Sequence, residues 1–214
     1  MNQEFRDLAL ERIRVEAGAI ETVAQVLDDV TDELLELPYK CPGTVFVTGS
    51  GTSGTIARRM AHIHAVSGTA SVFMHPSDAL HGAMGALRDW DVLIALSRGG
   101  GSDEINTLCS RAKDRGVRIV ALTSNKASEL ALCADYLQIF EVADQVDPGN
   151  LLAMGSTLMH AVWADCIAVA LMQMRGYTWS DVLFTHPLGE VGKREGLAEL
   201  PIPNYLPGGL GENK

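Results

Sequence analysis

The chain has 214 residues, 47% of them hydrophobic, and a formal net charge of −10. That length and apolar content suit one well-buried α/β domain rather than two independent ones, and the acidic balance argues against nucleic acid and anionic membranes as partners. Four widely spaced cysteines, Cys41, Cys109, Cys133 and Cys166, form no C-x-x-C pair and read as reduced core thiols. The N-terminus is charged and amphipathic, unlike a signal peptide, and no apolar run approaches the roughly eighteen residues of a membrane span, so the expectation is a soluble cytoplasmic protein.

Residues Asn2 to Leu37 carry Leu8, Ile13, Ile20, Val23, Val26, Leu27, Val30, Leu34 and Leu35 at helical intervals. This predicts two helices, or one long helix broken near Gly18, whose apolar stripe packs either on the chain's own sheet or on a second subunit. After the turn Lys40 to Gly43, Val45 to Val47 form a short strand, Gly49-Ser50-Gly51-Thr52-Ser53-Gly54 a small polar turn, and Ile56 to Val66 a helix. Glycine lets the backbone approach a ligand closely, and the hydroxyls and the free amides at the helix start offer donors to an anion. An ordinary strand-to-helix turn fits that stretch too. His62 and His64, two apart, point to different helix faces and read as structural.

Ser71 to Met74 predict a second strand, ended by Pro76, and His81 beside Gly82 is a candidate for proton transfer. The same design then recurs: Asp91 to Leu96 as strand, Ser97-Arg98-Gly99-Gly100-Gly101-Ser102 as loop, and Asp103 to Leu108 opening a helix with acids in its first turn. Two such loops on parallel strands face one pocket at the carboxyl edge of a sheet. Neither is a dinucleotide fingerprint or a Walker loop, and serine-rich loops favour a single phosphate. Val117 to Thr123 and Tyr136 to Phe140 read as further strands, Ser128 to Ala131 as a short helix, and Leu151 to Met174 as a long apolar helix that is either central and buried or an oligomer contact. The alternation predicts a parallel, doubly wound sheet. The proline- and glycine-rich stretch Glu199 to Gly209, with Tyr205 and Leu206, is either a loose end or an arm on another subunit.

From Val45 to Gly192 the residues resemble the SIS (sugar isomerase) domain, in particular the arabinose 5-phosphate isomerase branch without its C-terminal CBS modules. The likeness rests on GSGTSG, HPSDALHGAMG, SRGGGSDEI, the GST ahead of the long helix, and RGYTWSDVLFTHPLGEVGKR. It implies an α/β, flavodoxin/Rossmann-like fold with a five-stranded parallel sheet flanked by helices, divided into an N-terminal helical segment (1–43), the SIS domain (44–195) and a tail (196–214). It implies a homodimer or homotetramer with shared sites, and so tips the N-terminal helices toward oligomer contacts. A phosphorylated sugar is the implied ligand, its phosphate held by Ser53, Ser97, Ser102 and the intervening backbone amides; Gly51, Thr52, Arg98, Gly99 and Gly100 complete the candidate phosphate-binding set. The implied reaction is aldose–ketose isomerisation through a cis-enediol. His81 and His186 stand at the family's functional histidines and imply either proton transfer or a shared zinc, with no cofactor otherwise required.

The departures from that pattern matter as much. Where the isomerase branch has a lysine in the first loop, a glutamate in the second and a glutamate ahead of the long helix, this chain has Thr52, Gly101 and Gln145. The expected substrate is therefore a sugar phosphate other than arabinose 5-phosphate. Arg98 is an added cation suited to clamping a phosphate. The candidate replacement bases are His81, His186, Glu104 and Asp103; the two acids open a helix and read as caps, so the histidines are favoured. Asp144 and Asp147 read as solvated loop acids. Two functions stand: an isomerase or related deglycase-type lyase, and a non-catalytic sugar-phosphate sensing module.

Overall fold

The computed structural model describes residues 2–193 and 196. Three helices, α1 (Gln3–Glu21), α2 (Val23–Asp28) and α3 (Asp32–Lys40), precede an alternation of β1 (Val45–Gly49), α4 (Gly51–Val66), β2 (Ser71–Phe73), α5 (Pro76–Leu80), β3 (Val92–Leu96), α6 (Asp103–Asp114), β4 (Arg118–Thr123), α7 (Glu129–Cys133) and β5 (Tyr136–Ile139). The helices α8 (Gly155–Met174) and α9 (Trp179–Thr185) follow. All five strands are parallel, in the order β2-β1-β3-β4-β5. Parallel strands need crossovers, which cover both faces of the sheet, so strand residues of both parities are apolar here. Val45, Val47, Val92, Ile94, Leu96, Val120 and Leu122 pack with α4, α8 and the N-terminal helices. Phe46, Leu93, Ala95, Ile119 and Ala121 pack with residues of α5, α6 and α7 on the other face. This is the expected doubly wound five-stranded sheet.

Several boundaries differ from the expected ones, each for a local reason. The break in the N-terminal helices falls at Thr22, whose Oγ1 donates to the Ala19 carbonyl at 2.7 Å, and not near Gly18, which α1 passes through unbroken. Ala19, Val23, Val26 and Leu34 enter the same core as Met159, Trp163 and Ile167, so the inner stripe packs on the chain's own domain. Phe5, Leu8 and Ile13 remain exposed on α1. The helix after β1 begins at Gly51 and not Ile56, so Thr52 and Ser53 lie in its first turn. The long helix begins at Gly155, leaving Leu151 and Leu152 exposed ahead of it. By length and composition α8 is apolar enough to cross a membrane, contrary to the sequence expectation, yet 67% of its most apolar window is buried in this fold. Of the expected tail of residues 196–214, all but residue 196 lie outside the described residues.

Two features of this core generate predictions. An added Cβ at Gly54 would stand 2.7 Å from the Gly49 carbonyl oxygen, where β1 hands over to α4. Gly54→Ala is expected to cost about 1–3 kcal/mol of stability, read as a lower denaturant midpoint, because backbone at that contact must move. His64, buried, donates from Nε2 to the Ala164 carbonyl at 3.3 Å, and His160, also buried, packs edge-on against Phe140. Burial dominates both imidazoles and lowers them to about 4, offset only in part by the Ala164 carbonyl and Asp165 for the first and by Asp147 for the second. An unfolded histidine binds a proton near pH 6.5, so acid favours the unfolded chain, and stability falls as pH drops from there toward 4. Each histidine is expected to remove about 2 kcal/mol between pH 7 and 5, measured by denaturant unfolding at both values.

Candidate active site

In the strand order β2-β1-β3-β4-β5 the crossover from β1 leads to one side and that from β3 to the other, so a crevice opens between their carboxyl ends. Gly49 pairs with Leu96 in the last register of the two strands, which makes Ser50 and Ser97 the first residues past the sheet on either lip. Ser50 is the N-cap of α4 and Ser102 that of α6, and neither hydroxyl caps its own helix. Neither N-cap side chain occupies the amides of its first turn, although in α6 the Glu104 carboxylate meets its own amide, and both helix dipoles present their positive ends here. Ser97 Oγ accepts from the Gly100 amide at 3.2 Å and lies 3.5 Å from Ser102 Oγ. Gly100 has φ +67°, and a Cβ there would overlap Ser128, so the second loop needs glycine to lie against the start of α7. The Arg98 carbonyl ties the loop to the end of β4 by accepting from Thr123 Oγ1 at 2.9 Å and the Ser124 amide at 2.8 Å. Gly51, Thr52 and Gly99 are exposed, and Ser53 and Ser102 half-buried, around the same crevice.

The side chain of Arg98 is committed elsewhere. Its Nε lies 3.0 Å from Asp147 Oδ2, and its other nitrogens donate to the carbonyl and to the Oδ1 of Asn150. Asp147, expected as a solvated acid, is completely buried. Its carboxylate accepts from the Met154 amide at 2.8 Å, the Ser156 amide at 3.1 Å and Ser156 Oγ at 2.6 Å, and so closes the start of α8. Burial pushes this carboxyl upward, but the Ser156 and Met154 bonds and the Arg98 cation outweigh it and hold it below the usual range. Arg98 thus ties the second loop to the connection between β5 and α8. Asp144 and Gln145 on that connection are exposed.

Three neighbouring strand exits meet around a different carboxylate. Ser50 Oγ, after β1, donates to Glu104 Oε1, in the first turn of α6, at 2.5 Å. The Ser50 bond is the main influence that lowers Glu104, helped by its own backbone amide and by His75 just after β2. Sequence reasoning set Glu104 aside as a cap and passed over His75; the adjacency of β2, β1 and β3 was the missing information, although His75 between a strand and Pro76 marked a strand exit. His81 is the exposed C-cap of α5, a full short helix beyond the sheet edge. His186 ends α9, with its Nδ1 donating to the Val182 carbonyl at 2.7 Å, which leaves Nε2 as the basic nitrogen. A catalytic zinc takes three protein ligands. Among the described residues no group of three or more His, Cys, Asp or Glu stands close enough to hold a metal.

A groove lined by Thr22, Gln25, Asp29, Glu141 and Val142 lies apart from the serine loops and carries acids where a phosphate needs donors or cations. The crevice between β1 and β3 holds the Glu104 carboxylate too, but it adds two helix N-termini and the hydroxyls of Ser97 and Ser102 as donors for an anion.

Known proteins share this fold and much of this sequence. The family model described as SIS domain matches residues 39–164. The chain is 34% identical over 223 residues to arabinose 5-phosphate isomerase KdsD of Pseudomonas aeruginosa, covering 99% of this chain and 68% of that protein. It is 34% identical over 191 residues to KdsD of Escherichia coli K12, covering 89% of this chain and 58% of that one. The structure of Escherichia coli CFT073 c3406 in complex with arabinose 5-phosphate superposes with a TM-score of 0.81 at 30% identity, covering 87% of this chain and 100% of the other. The chain spans less than two thirds of the length of most of the curated relatives that it matches. A family model over more than half of its residues and full-length likeness to c3406 place the chain in the SIS domain family.

Proposed function

We propose that the protein is an aldose–ketose isomerase of a phosphorylated sugar, with arabinose 5-phosphate as the substrate. The observation that carries this is the pair of helix N-termini, left uncapped by their N-cap serines, that open on one crevice together with Ser53, Ser97 and Ser102. Such a site suits a single phosphate, because the dipoles and amides neutralise a dianion without a metal or a lysine. The expectation of a different sugar finds no support among the relatives: both KdsD proteins carry the name arabinose 5-phosphate isomerase, and the c3406 structure contains that sugar phosphate. Arg98 acts in this reading through its backbone, since Asp147 and Asn150 hold its guanidinium.

With the phosphate anchored, the reacting end of the open-chain sugar lies along the crevice, and isomerisation moves one proton from C2 to C1 through an enediol. His186 serves ring opening, its Nε2 free to take a hydroxyl proton. Phe184 and Leu188 flank it and are 86% and 93% exposed, which suits delivery of this histidine to the site of a second copy in a homodimer or homotetramer. His81 closes the rim of the pocket. A sensing module is the second reading, favoured by one observation: Thr52, Gly101 and Gln145 all stand exposed where ionisable groups were expected.

The two readings part in one experiment. Arabinose 5-phosphate is expected to raise the melting temperature of the protein and to lose its C2 proton signal to deuterium in D2O, followed by proton NMR, with exchange slowed in His186→Ala. Stabilisation without exchange would establish the sensor, and absence of stabilisation by any sugar phosphate would remove the phosphate site.

A further inference from the structure

The carboxylate expected in the second loop is absent, yet the crevice holds another. Glu104 projects from the second position of α6, and its Oε1 is fixed at 2.5 Å by the hydroxyl of Ser50 on the opposite lip. The bond spans the divergence of β1 and β3, so the carboxylate bridges the two loops assigned to the phosphate. From these positions we propose that Glu104 is the general base of the isomerisation, a role that rests on the isomerase reading above.

Three observations support it over the alternatives. A carboxylate accepts more than one donor, so the Ser50 bond orients the group and leaves lone pairs for a substrate proton. A glutamate carboxylate is ionised at neutral pH, as a base must be, and the Ser50 hydroxyl lowers Glu104 further, its own backbone amide and His75 helping. Asp103 beside it is exposed with no such tether, Asp147 is spent on α8 and Arg98, and His81 stands beyond the sheet edge.

The chemistry balances within this site. The Glu104 carboxylate takes the C2 proton, forming an O–H bond as the C2–H electron pair becomes the C1–C2 double bond, and the C1 carbonyl oxygen takes a proton from solvent. The protonated Glu104 then returns its proton to C1, the C2 hydroxyl releases its proton to solvent as the C2 carbonyl forms, and the carboxylate is restored. No oxidant, reductant or metal enters the balance. Ser50 is a positioning residue, acting through Glu104.

The test compares wild type, Glu104→Gln, Glu104→Asp and Ser50→Ala for deuterium exchange at C2 of arabinose 5-phosphate and for the melting shift that this sugar produces. Glu104→Gln is expected to slow exchange by about 100-fold or more, in the range a positioned base contributes, while the sugar still raises its melting temperature as in wild type. Glu104→Asp is expected to recover part of the rate, and Ser50→Ala to lose less than Glu104→Gln. A folded Glu104→Gln that exchanges at the wild-type rate overturns the proposal and leaves the isomerase standing. A Glu104→Gln that does not fold leaves the decision to Glu104→Asp, whose rate must fall while sugar binding persists; an unchanged rate overturns the proposal. Wild-type protein that binds the sugar without exchange overturns the isomerase reading and the base together.

Discussion

Everything in this molecule depends on two adjacent parallel strands that send their helices in opposite directions. The register that pairs Gly49 with Leu96 brings two chain exits side by side, and the opposed crossovers then pull the following residues apart. A gap must open at that point, lined by backbone amides that have no partner within their own helix. The small residues follow from the same geometry. Gly54 lies against the Gly49 carbonyl, and Gly100 against Ser128, so an added Cβ at either place would overlap its neighbour. What the sheet provides is a notch where two helix N-termini, serine hydroxyls and the Glu104 carboxylate meet.

The walls are held by a chain of polar contacts centred on a buried acid. Asp147 accepts three hydrogen bonds at the start of α8 and pairs with Arg98, which is anchored in turn to Asn150. A buried carboxylate is tolerable only when so fully satisfied, since its desolvation would otherwise outweigh any attraction. Asn106 extends the arrangement on the far side, donating to the Gly100 carbonyl and to Glu129. The second loop is therefore fixed at both its arginine and its glycine, and the donors of the notch are set before a ligand arrives, which lowers the ordering cost of binding.

The architecture was legible in the chain because its signals are local. Runs such as Val45 to Val47 and Val92 to Leu96, each followed by glycine and serine, declare strand, turn and helix without reference to anything distant. Helix starts were less legible: Gly51 and Gly155 begin helices that pattern alone placed elsewhere, since glycine is a weak signal and, for the second, the deciding contact is with Asp147. The site was legible only in outline. Its loops could be named from composition, but the fate of each charge depended on partners 49 to 54 residues away, as with Arg98 and Asp147 or Ser50 and Glu104. Asp147 reads as one more loop acid until the amides of Met154 and Ser156 are seen to converge on it. His75 gains meaning only when β2 is known to lie beside β1.

Arg12 links the helices ahead of the sheet to this arrangement. Its guanidinium reaches from α1 to the carbonyls of Gln145 and Val146, immediately before Asp147, while its Nε pairs with Glu16. The recurring part of the family begins at residue 39, and the residue that steadies the approach to α8 lies well ahead of it. The contacts that hold the site thus reach beyond the stretch by which the family is identified: a piece cut at that border would keep both serine loops and lose the Arg12 contacts to the segment before Asp147.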